Sequence, residues 1–182
     1  MRKRVFHLFL AAFIVSLLTA CTPGRTVILP KDGMAAGGMG DIMRTYFFDY
    51  TISSAYTSSK YEGYIPTPGY DLLVAEITVK NTLPETLPMF DWDFIVLYPD
   101  TTSDEQVYDY PITSYEDVDI PQTALQTLLP SEYTLQAGES RTGLLLFEVP
   151  AGDTEFVISY IEYFDDDTAG DTFDVSVTAT RR

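Results

Sequence analysis

The side chains that could do chemistry in this chain are mostly carboxylates and tyrosines. It has 27 Asp and Glu against 11 Lys and Arg, 13 Tyr, a single His and a single Cys, and a formal net charge of −16. Carboxylates are dense in two runs: Asp100, Asp104, Glu105, Asp109, Glu116, Asp117 and Asp119, and then Asp165, Asp166, Asp167, Asp171 and Asp174. The first run could supply the paired acid and base of a glycoside hydrolase. The second could hold Ca²⁺, which is bound by oxygen ligands.

Neither run has the pattern that such a site needs. An EF-hand-like loop that begins at Asp165 places Asp167 and Gly170 well, but Ala169 and Ser176 stand where further oxygen ligands belong. A hydrolase needs two carboxyl groups about 5–10 Å apart in a cleft, and a loop sequence does not dictate that geometry. We therefore expect solvated acidic loops, with no catalytic residue, no metal site and no cofactor.

Tyrosines are the best candidates for contacts with a partner. They flank the second predicted strand and recur in the acidic segment, as Tyr61, Tyr64, Tyr70, Tyr108, Tyr110 and Tyr115. Tyrosines on loops give rigid amphipathic contact area, as they do in antibody paratopes. The alternative is structural, because tyrosine is also a good strand residue whose ring packs at the margin of a sheet.

The N-terminus carries a pattern with a specific meaning. A basic start (Arg2, Lys3, Arg4) and an apolar run over residues 5–17 precede Leu18-Thr19-Ala20-Cys21. This order resembles the signal and lipobox of bacterial lipoproteins. The resemblance implies a signal peptide over residues 1–20, acylation of the Cys21 thiol by diacylglycerol, and a protein anchored to the outer face of the cell membrane. A plain signal peptide or a membrane-spanning anchor is the alternative, but the apolar run is shorter than the roughly 20 residues that spanning requires.

Removal of this signal would narrow the possible chemistry. His7 lies within it and Cys21 would carry the lipid, so the rest of the chain has neither imidazole nor free thiol. That excludes Ser-His-Asp and Cys-His catalysis, zinc sites built from imidazole or thiolate, and disulfides. The acidic surface also argues against nucleic acid as a partner, because it repels phosphates.

The remaining chain reads as a linker followed by one β-domain. Residues 21–41 are rich in Gly and Pro and are predicted to be a flexible linker. Over residues 42–182, β-branched and aromatic residues alternate with polar ones and are interrupted by turn residues, which is typical of half-buried strands. The prediction is an all-β immunoglobulin-like β-sandwich. We expect six side chains to be buried between its sheets: Ile77, Val79, Phe94, Leu145, Phe147 and Val177.

Several stretches of this predicted sandwich look like parts of a known family. They are residues 73–82 (LVAEITVKNT), 90–94 (FDWDF), 135–143 (LQAGESRTG) and 147–150 (FEVP). Together they resemble a bacterial extracellular immunoglobulin-like family of unknown function. It is related to the mycobacterial immunoprotective antigen fold and is common in Gram-positive lipoproteins. The resemblance implies a fold and a location and brings no catalytic residue with it. The acidic stretch over residues 100–119 departs from shorter members, so it is a place where a function specific to this chain could lie.

These observations favour a non-catalytic binding or interaction module of the cell envelope. The partners that fit are the membrane, through the lipid anchor, and an extracellular or envelope protein or glycan. Two alternatives stay open: a carboxylate-dependent hydrolase acting on envelope glycans, and a mainly structural envelope component.

Overall fold

Most of the chain forms two stacked β-sheets. A computed structural model describes residues 25–99, 106–164, 166 and 168–182. The first sheet has six strands in the order β1 (Val27–Ile28), β3 (Ile42–Arg44), β4 (Phe48–Ser58), β5 (Tyr70–Asn81) and β10 (Ser140–Pro150), with β13 (Thr180–Arg181) paired to β4. The second has five strands in the order β2 (Met34–Gly38), β12 (Ala169–Thr178), β11 (Glu155–Tyr163), β7 (Phe94–Pro99) and β8 (Gln106–Asp109).

Small elements close one side of the sandwich. Strands β6 (Leu87–Phe90) and β9 (Glu132–Leu135) form a two-stranded ribbon. Short 3₁₀ turns span Asp91–Asp93 and Ile112–Ser114, and one helix, α1, spans Gln122–Leu125. The predicted all-β sandwich is confirmed. Among the described residues, no helix is both long enough and apolar enough to cross a membrane.

The main core lies between the two sheets, as the period-two pattern predicts. The six residues expected there, Ile77, Val79, Phe94, Leu145, Phe147 and Val177, are all buried. Turn chemistry also agrees with the sequence. Asn81 is buried, its side-chain oxygen accepts the Leu83 N–H at 2.8 Å, and its amide donates to three backbone carbonyls. Gly138 has a φ of +74°, which favours glycine in the tight turn before β10.

The predicted flexible linker over residues 21–41 is wrong from Val27 onward. Strand β1 pairs in parallel with β3, and β2 pairs in parallel with β12, so this stretch joins both sheets. Its small residues serve close packing, since Ala35 is buried and a Cβ on Gly37 would lie 3.0 Å from the Met43 sulfur. The small residues of this stretch therefore allow two backbones to approach closely, and they do not indicate flexibility.

A second, smaller core lies on the outer face of the six-stranded sheet. Ile112, Ala124 and Leu128, from the segment between β8 and β9, are buried there. They pack against Leu72, Val74 and Leu146 on the sheet. We call residues 110–129 the covering segment. Pro121 and the leucines at 125, 128 and 129 predict a short helix with one apolar face, and α1 forms at Gln122–Leu125. The leucines do not share one face, because Leu125 is exposed while Leu128 and Leu129 are buried in different clusters.

Candidate functional site

Three adjacent strands shape the most distinctive surface of the protein. Strand β7 pairs with β11 on one side, where Phe94 lies opposite Tyr160, and with β8 on the other, where Val96 lies opposite Asp109. Phe94, Val96 and Tyr160 are buried in the core. Successive side chains of a strand point to opposite faces. Ile95, Ile161 and Tyr110 therefore project from the outer face of the five-stranded sheet.

A turn closes this surface at the start of β7. The FDWDF stretch predicts Trp92 on the same strand face as Phe94, but the chain forms the Asp91–Asp93 turn instead. The cause is local, because an oxygen of Asp93 accepts the Phe90 N–H at 3.0 Å and competes with strand pairing. Trp92 consequently lies outside, stacked on Phe90 with ring centroids 4.5 Å apart and an interplanar angle of 17°.

The result is an open groove with a volume of about 310 Å³, which we call the Trp92 groove. Its described lining is Trp92, Asp93, Ile95, Tyr110, Ile161 and Tyr163. The three aromatic residues keep large exposed fractions: 42% for Trp92, 37% for Tyr110 and 62% for Tyr163. None of the six described lining residues is basic, and Asp93 is the charged one.

Asp93 is held in an unfavourable place for a charge. Burial raises its pKa to about 6, and repulsion from Asp91 adds to that effect against the hydrogen bond from Phe90. Asp91 is fully buried and accepts hydrogen bonds from the hydroxyls of Thr113 and, at 3.2 Å, Ser114. Burial raises the pKa of Asp91 as well, although these hydroxyl donors oppose the shift. The turn thus carries one structural carboxyl group and one that faces the groove.

The charge of Asp93 also affects the pKa of two tyrosines in the core. Burial first, and then the nearby Asp93 carboxylate, raises the pKa of Tyr133 on β9 and of Tyr160 on β11. The guanidinium of Arg141 lies 5.2 Å from the centroid of the Tyr133 ring. The Tyr133 hydroxyl is buried and has no hydrogen-bond partner among the described residues. Both tyrosines therefore stay neutral phenols behind the groove.

A second groove, of about 220 Å³, shares Tyr110 with the first, and we call it the Tyr64 groove. The residues that matter here are Tyr64, Thr67, Asp109, Tyr110, Tyr115 and Glu148. The Tyr64 hydroxyl donates to Glu148 at 2.7 Å, and the Tyr115 hydroxyl donates to Asp109. Burial and the bond to Asp109 raise the pKa of Tyr115 to about 12. Tyr110 joins the two grooves, and we call the whole the aromatic face.

The structure brings three of the six predicted interaction tyrosines into the lining of this face, and a fourth lies beside it. Tyr64, Tyr110 and Tyr115 line the Tyr64 groove, and the Tyr108 ring lies edge-on to Tyr110 at 5.8 Å. Tyr61 lies elsewhere, packed on the second core with its hydroxyl 2.6 Å from that of Thr127. Tyr70 is exposed at the start of β5 and lines neither groove.

The predicted acidic runs have a different fate. Asp109, in strand β8, accepts hydrogen bonds from Tyr115 and from the Tyr110 N–H. Glu116, Asp117 and Asp119 are exposed on the covering segment. Hydrogen bonds from the Thr168 side chain and then from the Thr168 N–H, which Asp166 accepts at 3.1 Å, lower the pKa of Asp166. Among the described residues, no three His, Cys, Asp or Glu side chains converge as metal ligands. Asp100, Asp104, Glu105, Asp165, Asp167 and Cys21 lie outside the described residues.

Sequence reasoning missed Trp92, Asp93 and Tyr163 as surface-forming residues. The sequence contained a signal, because Asp91 and Asp93 interrupt an aromatic run. At such a place either the acids are buried or the chain leaves the strand in a turn. The covering segment also left a signal in Leu72-Leu73-Val74-Ala75. Such an unbroken apolar run in a strand indicates burial on both faces.

Comparisons with known proteins agree with this architecture. A model of the family described as "Domain of unknown function (DUF4352)" matches residues 37–172. A search of curated proteins found no significant match. The yjhA protein of Bacillus subtilis is similar in structure with a TM-score of 0.53 and 16% identity over 76% of this chain and 99% of that one. At this identity the likeness shows a shared fold alone.

Two further solved structures are more distant. The ycdA protein of Bacillus subtilis, described as a candidate lipoprotein, has a TM-score of 0.49 and 21% identity over 75% of this chain. The match spans only 38% of the ycdA chain. A β-sandwich protein of Clostridium difficile has a TM-score of 0.44 and 13% identity, covering 84% of this chain and 93% of that chain.

Proposed function

This chain belongs to the DUF4352 family, and we propose that it is a lipid-anchored module outside the cell membrane that binds a ligand of the envelope on its aromatic face without catalysis. The observation that carries the proposal is the convergence of exposed aromatic rings around Tyr110, at the junction of two grooves. Large exposed aromatic side chains are enriched where proteins bind partners.

The location rests on the N-terminal sequence. Basic residues, an apolar run and Leu18-Thr19-Ala20-Cys21 stand in the order that lipoproteins use. A Cys21 that carries two acyl chains would hold the sandwich at the bilayer. The proposal includes an extracellular or envelope protein or glycan as the partner. The relation to the mycobacterial immunoprotective antigen fold is part of the same proposal.

The hydrolase alternative is not favoured by the geometry of the acids. In the Trp92 groove Asp93 is the one carboxyl group of the described lining, and its neighbour Asp91 is fully buried and engaged by two hydroxyls. In the Tyr64 groove Asp109 and Glu148 each accept a hydrogen bond from a tyrosine hydroxyl. A glycosidase pair must present both carboxyl groups to the substrate. A purely structural role would leave the exposed aromatic rings without a use, since contiguous exposed apolar surface usually marks an interaction site.

Envelope binding tests the proposal directly. The full chain, purified in a non-ionic polyoxyethylene detergent, is incubated with envelope material of a deletion strain from which the lipid has been extracted, so that the proposed anchor has no bilayer to enter. The fraction that sediments is measured. Truncation of an interface anchor typically costs about 2 kcal/mol or more. We therefore expect Trp92→Ala and Tyr110→Ala to weaken retention at least about tenfold.

Tyr46→Ala is the matched control, because Tyr46 is 67% exposed but lies with Phe47 and Phe164 at a separate groove. Circular dichroism verifies that each variant is folded. Retention that is equal for the wild type and all three variants, or no retention of the wild type, would contradict the proposal.

A further inference from the structure

The lining of the Trp92 groove defines the kind of group that it can hold. Three exposed aromatic residues, Trp92, Tyr110 and Tyr163, surround one carboxyl group, Asp93. The negative faces of aromatic rings attract cations, Trp most strongly, and such rings form the cages that bind quaternary ammonium ligands. A volume of about 310 Å³ suits a small ligand group.

Charge complementarity gives the same answer. The groove contains a carboxyl group and, among its described lining residues, no basic one. The chain as a whole carries a net charge of −16, so its field attracts cations toward any groove on its surface. An anionic ligand would meet repulsion at Asp93 and from the whole molecule.

The apolar part of the lining selects among cations. Ile95 and Ile161 form the floor, and one Asp93 oxygen already accepts the Phe90 N–H at 3.0 Å. A primary ammonium is strongly hydrated and needs acceptors for its three N–H groups. A quaternary ammonium has no N–H to satisfy, and its methyl groups can contact rings and aliphatic side chains. Of the organic cations, the quaternary ones match this floor.

We propose that the Trp92 groove binds the quaternary ammonium group of a small organic cation, with the rings of Trp92, Tyr110 and Tyr163 around it and the Asp93 carboxylate as its counter-charge. This inference rests on the proposed binding function and names the chemical class of the ligand. It assigns Trp92 and Asp93, which sequence reasoning treated as strand residues, as binding residues.

Trp92 makes the test simple, because it is the only tryptophan in the chain and lines the groove. Choline is titrated into the full chain in non-ionic detergent at low salt, and the tryptophan fluorescence is followed. The matched probe is 3,3-dimethylbutan-1-ol, which has the shape of choline without its charge. We expect saturable quenching by choline and at least about tenfold weaker binding of the neutral alcohol, because each cation–ring contact is lost.

Variants separate the roles of the lining. Asp93→Asn keeps the shape and removes the charge, and Tyr163→Ala removes one exposed ring. Each is expected to weaken choline binding about tenfold. Tyr46→Ala, at the separate groove, is expected to leave binding unchanged.

Other outcomes overturn the inference in distinguishable ways. Equal binding of choline and the neutral alcohol would show a merely apolar groove. Saturation by a lysine-containing peptide or a chitin oligosaccharide, with none by choline, would assign a primary ammonium or a neutral sugar instead. If choline fails while envelope retention still depends on Trp92 and Tyr110, the proposed function stands and the ligand class is wrong. If retention fails too, both are wrong.

Discussion

Asp93 is the residue on which local structure, electrostatics and the proposed site meet. Its side chain accepts the Phe90 N–H and so stabilises the Asp91–Asp93 turn, which places Trp92 on the outside. The same position buries the carboxyl group and raises its pKa to about 6. Asp93 is therefore mostly ionised at neutral pH, but its ionisation costs more in the folded protein than in the unfolded chain and so opposes folding.

Asp93→Asn should therefore change the pH dependence of stability. Because the folded pKa lies above the unfolded value near 4, the stability associated with the neutral carboxyl is present below pH 4 and is lost as the pH rises toward 6. Asparagine keeps an acceptor for Phe90 and cannot ionise. We expect the variant to match the wild type near pH 4 and to be more stable by about 2–3 kcal/mol near pH 8.

Denaturant unfolding at a series of pH values measures this difference. Asp91, Tyr133 and Tyr160 surround Asp93 and are unchanged in the variant, so the comparison isolates one group. Glu116→Gln makes the same kind of substitution at an exposed site on the covering segment and is the control. A difference between Asp93→Asn and wild type that is constant from pH 4 to 8 would argue against a buried Asp93 charge.

At the scale of elements, strand β8 and the covering segment that follows it have two different roles. Strand β8 extends the five-stranded sheet and delivers Tyr108 and Tyr110 to the outer face. Residues 112–128 then cross to the other sheet and bury the second core against Leu72, Val74 and Leu146. One segment thus links the aromatic face to the packing of the opposite sheet.

Leu128→Ala tests this packing. Leu128 is buried in the second core, and emptying a buried leucine site costs about 2–5 kcal/mol. We expect the free energy of unfolding to fall by about 2–4 kcal/mol. Leu125→Ala, at the end of α1 in the same covering segment, is the matched control, because Leu125 is exposed and should cost less than about 1 kcal/mol.

Denaturant titration of both variants gives the comparison. If the two leucines cost the same, the covering segment does not pack on the sheet as described.

At the scale of the whole molecule, the net charge and the proposed lipid anchor both affect where the domain lies relative to the membrane. The predicted loss of residues 1–20 removes three basic residues and makes the net charge of −16 more negative still. An anionic bilayer repels such a domain, which favours contacts with ligands away from the lipid. Strand β1 begins at Val27, six residues after Cys21, so a lipid on Cys21 would hold the start of the sandwich within about 20 Å of the bilayer.

The anchor itself gives a prediction. Cys21→Ser removes the thiol that would be acylated, so we expect the variant to move from the detergent phase to the aqueous phase, or to accumulate with its signal attached. Detergent phase partitioning of wild type and variant measures this. A serine variant of processed size that still partitions with detergent would show that Cys21 is not the anchor. Single-chain acylation binds only marginally, so complete retention of the wild type fits two chains or more.

Much of the fold is readable from the sequence because strand patterning is local. Alternation alone identifies the inward residues of β5 and β10, such as Ile77 and Phe147, and turn residues such as Asn81 and Gly138 mark the ends of strands. The period of two is a property of the extended backbone, so it needs no knowledge of the partner strand. The prediction of a lipid anchor at Cys21, and the exclusion of histidine and thiol chemistry that would follow from cleavage before it, likewise rest on the sequence alone.

The tertiary structure decided what the sequence left open, for reasons of distance along the chain. The sequence around Gly37 predicts a flexible linker, and only the structure shows that Met43 and Ile28 lie close to this glycine. The sequence predicts that Trp92 is a strand residue, and only the structure shows the turn in which the Asp93 side chain accepts the Phe90 N–H. The Trp92 groove joins positions 92, 110 and 163, and strand pairing brings them together over gaps that no local pattern encodes. The sequence determined that aromatic rings were available, and only sheet registry decided which of them share a surface.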